Sequence, residues 1–91
     1  RRNVVLIDVR TPEEYAEGHI PGTDFNINVL DDSFEREILD RISPDSHVAI
    51  YCRSGNRSKT AGAVLVNNCY KVVELESGFK GWKEAGKKIE H

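Results

Sequence analysis

The sequence predicts an α/β fold in which an open parallel β-sheet carries helices on both faces, giving three layers. Two short apolar runs, at residues 4–7 and 48–51, are typical of buried strands, and residues 72–75 are predicted to form a further strand. Helical patterns separate these runs, and strands that alternate with helices favour a parallel sheet. The 91 residues suffice for a single domain, spanning 1–91, with a modest core.

The first predicted strand, at residues 4–7, leads directly into two charged residues. Asp8 and Arg10 follow at its carboxyl end, which is the side of a parallel sheet where binding sites form. The simplest interpretation of this pair is a structural ion pair or a set of turn hydrogen bonds.

A short helix is predicted next. The segment from Thr11 to Glu14 matches a capping box, with Thr11 as the N-cap and Glu14 as the third helical residue. The helix is expected to run to about Glu17 with Tyr15 facing inward, and Gly18 is expected to end it.

A turn, a strand and a second helix are predicted after that. Residues 19–22 form the turn, and residues 25–29 alternate apolar and polar side chains as a half-exposed strand does. Residues 31–33 offer an N-cap to a helix whose apolar stripe is expected to pack into the core: Phe34, Ile38, Leu39 and Ile42.

The most informative stretch, residues 47–68, joins a buried strand to a helix through a polar turn. Cys52 is the first residue of that turn, and the polar residues that follow it place it in a surface loop rather than in the core. The helix after the turn has one side made by Ala61, Val64, Leu65 and Asn68.

The turn has the composition of an anion-binding loop. Backbone N–H groups in such a loop point inward, and the N-terminus of the following helix adds partial positive charge. Gly55 and Asn56 readily adopt the left-handed conformations that the loop needs, while Arg53 and Arg57 add two cations. We therefore expect a lowered pKa for the Cys52 thiol, which would make it a nucleophilic thiolate.

The chain is predicted to close with a strand at residues 72–75, a turn at residues 76–78 and a last helix. Phe79 and Trp82 are three residues apart and are expected to anchor that helix on the core before Gly86.

The run Cys52-Arg53-Ser54-Gly55-Asn56-Arg57-Ser58 resembles the active-site loop of the rhodanese domain, the sulfurtransferase family. Residues 6–10, 18–22 and 75–78 also agree with that family in order and spacing, so the resemblance covers nearly the whole chain. Two residues depart from it. Cys69 stands where the family often has glycine, and Ser77 replaces the first residue of a glycine pair.

The resemblance implies a rhodanese-like fold and covalent transfer of sulfur. Cys52 would take a sulfane sulfur from an anion such as thiosulfate, and its persulfide would pass that sulfur to cyanide, a thiol or a protein cysteine. Asp8 and Arg10 would be structural supports near the loop, and neither a metal nor an organic cofactor is implied. The residues implied in substrate binding are Arg53, Ser54, Gly55, Asn56, Arg57 and Ser58. Within that set, Arg57 would fix the loop or the anion, and Arg53 would meet the donor.

Three alternatives stay open at this point. A cysteine phosphatase or arsenate reductase of related fold would need a larger loop than the four residues that separate Cys52 from Arg57. A non-catalytic regulatory module of the same fold is expected to lose the cysteine, which this chain keeps. A redox enzyme would pair Cys52 with Cys69, about 16 Å away along a helix that rises roughly 1.5 Å per residue. A disulfide spans no more than about 7 Å between Cα atoms.

Composition favours an ordinary soluble protein of the cytoplasm. The net charge of −2 gives no indication of nucleic-acid binding, and no apolar run is long enough to cross a membrane. Two cysteines without metal-ligand spacing predict neither a disulfide framework nor a zinc site. The missing initial methionine indicates a fragment or a processed chain.

Overall fold

The computed structural model describes residues 4–53, 55–75 and 77–91, and its centre is a parallel β-sheet. In chain order the strands are β1 (Val4–Asp8), β2 (Phe25–Asn26), β3 (His47–Tyr51) and β4 (Lys71–Glu74). The helices are α1 (Pro12–Glu17), α2 (Phe34–Arg41), α3 (Asn56–Asn67) and α4 (Gly78–Glu84). The predicted α/β fold with an open parallel sheet is confirmed.

The strand order β2-β1-β3-β4 determines where a binding site is expected along the sheet. The chain passes from β1 to β2 on one side and then returns to build β3 on the other side of β1. In register, Asp8 at the end of β1 lies beside Tyr51 at the end of β3. Ligands of open α/β sheets bind outside the carboxyl ends of the strands where the order reverses. In this chain that position is just beyond Asp8 and Tyr51.

Two apolar clusters cover the two faces of the sheet. One joins Ile7 and Ile50 of the strands to buried residues of α2 and α3, including Ile38 and Leu65. The other joins Tyr51 to Phe79 of α4, with further apolar residues packed around them: Leu6, Ile20, Leu75, Trp82 and Ile89. Helices therefore cover both faces, as predicted.

Helix α1 has the predicted boundaries and cap. The Thr11 hydroxyl accepts a hydrogen bond from the backbone N–H of Glu14, and the Glu14 carboxylate accepts one from the backbone N–H of Thr11. Tyr15 faces inward only in part. Its ring is only partly buried and stacks on the His19 ring with a centroid separation of 3.9 Å, because this helix of six residues has no buried side.

Two expectations for residues 25–42 are wrong. Strand β2 contains Phe25–Asn26 alone, although the backbone N–H groups of Ile27 and Val29 still donate to the carbonyls of Asp8 and Val9 at 3.0 and 3.1 Å. Leu39 is 52% exposed, because Phe34, Ile38 and Ile42 already form the buried side of α2. Leu39 follows Ile38 by one residue, about 100° around the helix.

The second half of the chain follows its predicted pattern closely. Ala61 and Leu65 of α3 are buried, and β4 lies within one residue of its predicted bounds. Phe79 is buried in α4, and the Trp82 indole N–H donates to the carbonyl of Lys88 at 2.6 Å. Within the described ranges, no helix has the length and apolar character needed to cross a membrane.

The two departures from the rhodanese pattern behave differently. Cys69 has φ = 70°, which is the left-handed region that favours glycine, and its side chain is exposed. Ser77 has φ = −76°, a conformation open to any residue, so it fits its position without strain.

Candidate active site

Cys52 lies at the carboxyl end of β3, directly outside the reversal point of the sheet. Its Sγ accepts a hydrogen bond from the backbone N–H of Gly55 at 3.0 Å. The expectation of a surface position is wrong, because Cys52 is only 1% exposed. Cys52 is buried like Tyr51 at the end of β3, and the next residue, Arg53, is the first exposed one.

The loop after Cys52 depends on one glycine. Gly55 has φ = 100°, and α3 begins at the next residue. Asn56 was also expected to be left-handed. That expectation is wrong, because Asn56 is already the first helical residue of α3 and is exposed. The buried Ser58 hydroxyl donates to the Gly55 carbonyl at 3.0 Å and so fixes the glycine from the helix side. Ser54 lies outside the described residues.

Helix α4 supports the loop from the opposite side. The backbone N–H of Phe79 donates to the carbonyl of Cys52 at 2.8 Å, and that of Lys80 donates to the carbonyl of Arg53 at 2.9 Å. Gly78 has φ = 63°, and a Cβ atom there would lie 2.6 Å from both of those carbonyl oxygens. Only glycine allows α4 to approach the loop this closely.

Arg57 is tied to a carboxylate on α1. Its Nη1 and Nη2 donate to Oε1 and Oε2 of Glu14 at 2.8 and 2.9 Å, a two-pronged ion pair. The hydrogen bonds from Arg57 lower the pKa of Glu14 to about 2, and the same bonds raise the pKa of Arg57. Arg57 is thus held by a carboxylate next to the loop, and that carboxylate belongs to Glu14.

Asp8 and Arg10 form the ion pair that the sequence predicted. Arg10 Nη2 lies 2.6 Å from Oδ2 of Asp8 and also donates to the Gly18 carbonyl at 2.7 Å, and both charged residues are buried. Burial by itself would lower the pKa of Arg10, but its hydrogen bonds to Asp8 and the charge of Asp8 outweigh that effect and raise it. The Arg10 guanidinium also stacks over the Phe79 ring at 4.3 Å. The pair thus connects the end of β1 to α4.

An open cleft of about 410 Å³ lies beside the loop, between α1 and α4. Arg53, the residue after Cys52, is exposed and contributes to its wall. Among the described residues, no carboxylate pairs with Arg53, in contrast to Arg10 and Arg57. The other lining residues are Glu14, Glu17, Phe79, Lys80, Lys83 and Glu84, together with Arg10. The cleft therefore carries both signs of charge and has an aromatic side chain in its wall.

Sequence reasoning missed two contributors to the site. It assigned Glu14 to the cap of α1 alone, whereas the same carboxylate also binds Arg57. It placed Gly78 in a turn without a reason for glycine, whereas the close approach of α4 requires it. The sequence did contain one signal for the second role of Glu14. Glutamine at this third helical position would cap α1 equally well, so the charge of a glutamate indicates a further, cationic partner.

The comparisons with known proteins agree on one family. The family model for the rhodanese-like domain matches residues 1–85. A thiosulfate sulfurtransferase, GlpE, of Pseudoalteromonas translucida is 32% identical over 88 residues, which cover 93% of this chain and 78% of that protein. A sulfurtransferase of Allochromatium vinosum is 36% identical over 91 residues, covering 92% of this chain and 76% of the relative. The crystal structure of a rhodanese-related protein from Thermoplasma volcanium superimposes with a TM-score of 0.83 at 30% identity, covering 98% of this chain and 85% of the other.

Proposed function

Because this chain belongs to the rhodanese-like domain family, we propose that it is a sulfurtransferase whose nucleophile is Cys52. The observation that carries the proposal is the position of the Cys52 sulfur at the reversal point of the sheet, with the Gly55 N–H directed at it from 3.0 Å. A preorganised N–H donor stabilises negative charge on the sulfur, which is the charge that both half-reactions require.

In the first half-reaction the Cys52 thiolate attacks the outer sulfur of a donor such as thiosulfate. A bond forms between Cys52 Sγ and that sulfur, and the sulfur–sulfur bond of the donor breaks. The bonding electron pair leaves with sulfite, and Cys52 becomes a persulfide anion. No external oxidant or reductant is needed, and neither a metal nor an organic cofactor enters the proposal.

In the second half-reaction an acceptor attacks the outer sulfur of the persulfide. The electron pair of the cleaved sulfur–sulfur bond returns to Cys52 Sγ and restores the thiolate. A thiolate acceptor becomes a persulfide, and cyanide becomes thiocyanate. The cleft of about 410 Å³ beside the loop is in the size range that holds a small molecule. A reducing compartment such as the cytoplasm would keep Cys52 reduced between turnovers.

Arg53 and Arg57 have separate parts in this proposal. Arg53 is exposed beside the nucleophile and lines the cleft, where a cation would bind the anionic donor. Arg57 is engaged by Glu14 and stabilises the architecture of the loop.

The decisive experiment is intact mass spectrometry after incubation of the reduced protein with thiosulfate. We expect the wild type and Cys69→Ser to gain the mass of one sulfur atom and to lose it again when cyanide is added. Cys52→Ser carries the same chemical substitution and should gain nothing. A wild type that stays unmodified, or a Cys52→Ser variant that still gains sulfur, would overturn the assignment. The test also examines whether a donor reaches a sulfur that is 1% exposed.

A further inference from the structure

The carboxylate of Glu14 connects two structural elements at the site. Its Oε1 accepts from the backbone N–H of Thr11 at 3.0 Å and from the Thr11 hydroxyl at 3.2 Å, which closes the cap of α1. The same carboxylate accepts hydrogen bonds from both Nη atoms of Arg57, at 2.8 and 2.9 Å. These two residues are 43 positions apart in the chain. The start of α1 is thus fixed to the start of α3.

The Arg57 end of this contact is close to the reacting sulfur. Arg57 is the second residue of α3 and lies two positions after Gly55, whose N–H meets Cys52 Sγ. Its raised pKa comes first from the hydrogen bonds to Glu14, with smaller contributions from the charges of Glu14, Cys52 and Asp8. A shift of the guanidinium would therefore alter both the geometry of the loop and the field at the sulfur.

We propose that Glu14 is a positioning residue for Cys52: it holds the Arg57 guanidinium, and with it the first turn of α3, in the place where the loop presents the Gly55 N–H to the sulfur. The proposal rests on the proposed sulfur transfer at Cys52 and extends it to a residue on another helix. In this role Glu14 acts on Cys52 through Arg57.

The chemistry of the two contacts makes the roles separable. A capping box accepts glutamine as readily as glutamate, because only one oxygen is needed there. The two-pronged contact with Arg57 needs two acceptor oxygens and a negative charge, which glutamine cannot supply. Glu14→Gln therefore preserves the cap of α1 and breaks the hold on Arg57. Thr11→Val removes the side-chain cap of α1 and preserves the contact between Glu14 and Arg57.

The first readout is steady-state kinetics with thiosulfate and cyanide. We expect Glu14→Gln to lower kcat about five- to twentyfold, the range for a charge-assisted contact that is partly open to solvent, and to leave KM for thiosulfate within about twofold. Glu13→Gln removes the same charge from the same exposed turn and should match the wild type, as should Thr11→Val. Glu14→Asp, with a shorter carboxylate, should fall between the wild type and Glu14→Gln, and it serves as the test variant if Glu14→Gln does not fold.

A double-mutant cycle tests whether Glu14 acts through Arg57. Arg57→Gln should lower kcat at least as much as Glu14→Gln, and the double variant should be no slower than Arg57→Gln alone. Losses that multiply would show that Glu14 acts independently of Arg57 and would overturn the proposal. It would equally be overturned if Thr11→Val lost as much activity as Glu14→Gln, because the effect would then come from the cap of α1.

The second readout is the rate of iodoacetamide alkylation of Cys52 at pH 6, which does not depend on sulfur transfer. Simple removal of a nearby negative charge would stabilise the thiolate and speed alkylation. Release of Arg57 from its position removes a fixed cation and should slow alkylation by about threefold or more. Slower alkylation of Glu14→Gln supports the positioning role even if the wild type takes no sulfur from thiosulfate. Faster or unchanged alkylation overturns it.

Discussion

Gly78→Ala should both destabilise the protein and damage its active site, because Gly78 is the point where α4 touches the nucleophile loop. The new Cβ would lie 2.6 Å from the carbonyl oxygens of Cys52 and Arg53, which are backbone atoms that cannot rotate away. The backbone at Gly78, with φ = 63°, is also in the left-handed region, where alanine is strained.

The expected loss of stability has two parts. Left-handed strain on alanine contributes about 1–2 kcal/mol. Relief of the clash moves α4 away from the loop and weakens the hydrogen bonds from Phe79 N to Cys52 O and from Lys80 N to Arg53 O, each worth about 1 kcal/mol. Together these give about 3–4 kcal/mol, a large share of the roughly 5–15 kcal/mol that stabilises a typical domain.

Urea unfolding of Gly78→Ala and Gly86→Ala measures the two parts separately. Gly86 has a similar φ of 76°, but a Cβ there meets nothing within 4 Å, so its replacement should cost only the strain of about 1–2 kcal/mol. Gly78→Ala should also lower kcat by about tenfold, because the carbonyl of the nucleophile is displaced. Equal unfolding free energies for the two variants would refute the proposed contact between α4 and the loop.

Three further predictions follow from the site and its surroundings. Arg53→Ala should raise KM for thiosulfate about tenfold with little change in kcat, because the Arg53 side chain lines the cleft and has no ion-pair partner among the described residues. Cys69→Gly should raise the free energy of unfolding by about 0.5–1 kcal/mol, because glycine relieves the left-handed strain at φ = 70°. Acid should selectively weaken the Glu14–Arg57 ion pair. The pKa of Glu14 is depressed in the folded state to about 2, so the contribution of the pair is present above about pH 5 and is lost as the pH falls towards 2, by about 1 kcal/mol.

Each of these has an outcome that contradicts it. For Arg53→Ala it is an equal kinetic defect with a neutral sulfur donor, since a neutral donor does not need the cation. For Cys69→Gly it is a stability no higher than that of Cys69→Ser. For the ion pair it is a Glu14→Gln variant that loses as much stability as the wild type between pH 5 and pH 2.

Two signals confined to neighbouring residues predicted their elements correctly. The capping box of Thr11 and Glu14 gave the start of α1, and the apolar run before Cys52 gave β3. Asn56 shows the limit of residue preference: its type tolerates a left-handed backbone, but it is already the first helical residue of α3, and Gly55 before it has the left-handed conformation.

Features that depend on distant contacts could not be predicted from the sequence. The burial of Cys52 depends on its packing into the cluster that β1, α2 and α3 form, which includes Ile7 and Leu65, and no local pattern encodes that contact. The partner of Arg57 is 43 residues away, and many carboxylates in the chain were equally plausible by composition. Leu39 illustrates the same point for packing. Which side of α2 is buried depends on the surface against which the helix packs, and Leu39 lies outside that side.

The ion pairs at the carboxyl edge of the sheet determine how far its positive charge reaches. Asp8 compensates Arg10, and Glu14 compensates Arg57, so neither guanidinium projects a strong field into solvent. Among the described residues of this edge, Arg53 is then the guanidinium whose charge an anion meets, and at physiological salt that charge is screened over about 8 Å. The lysines of the cleft face two glutamates in the same walls. Capture of an anionic donor thus depends on contact at the loop rather than on long-range steering, and its rate should respond only weakly to ionic strength.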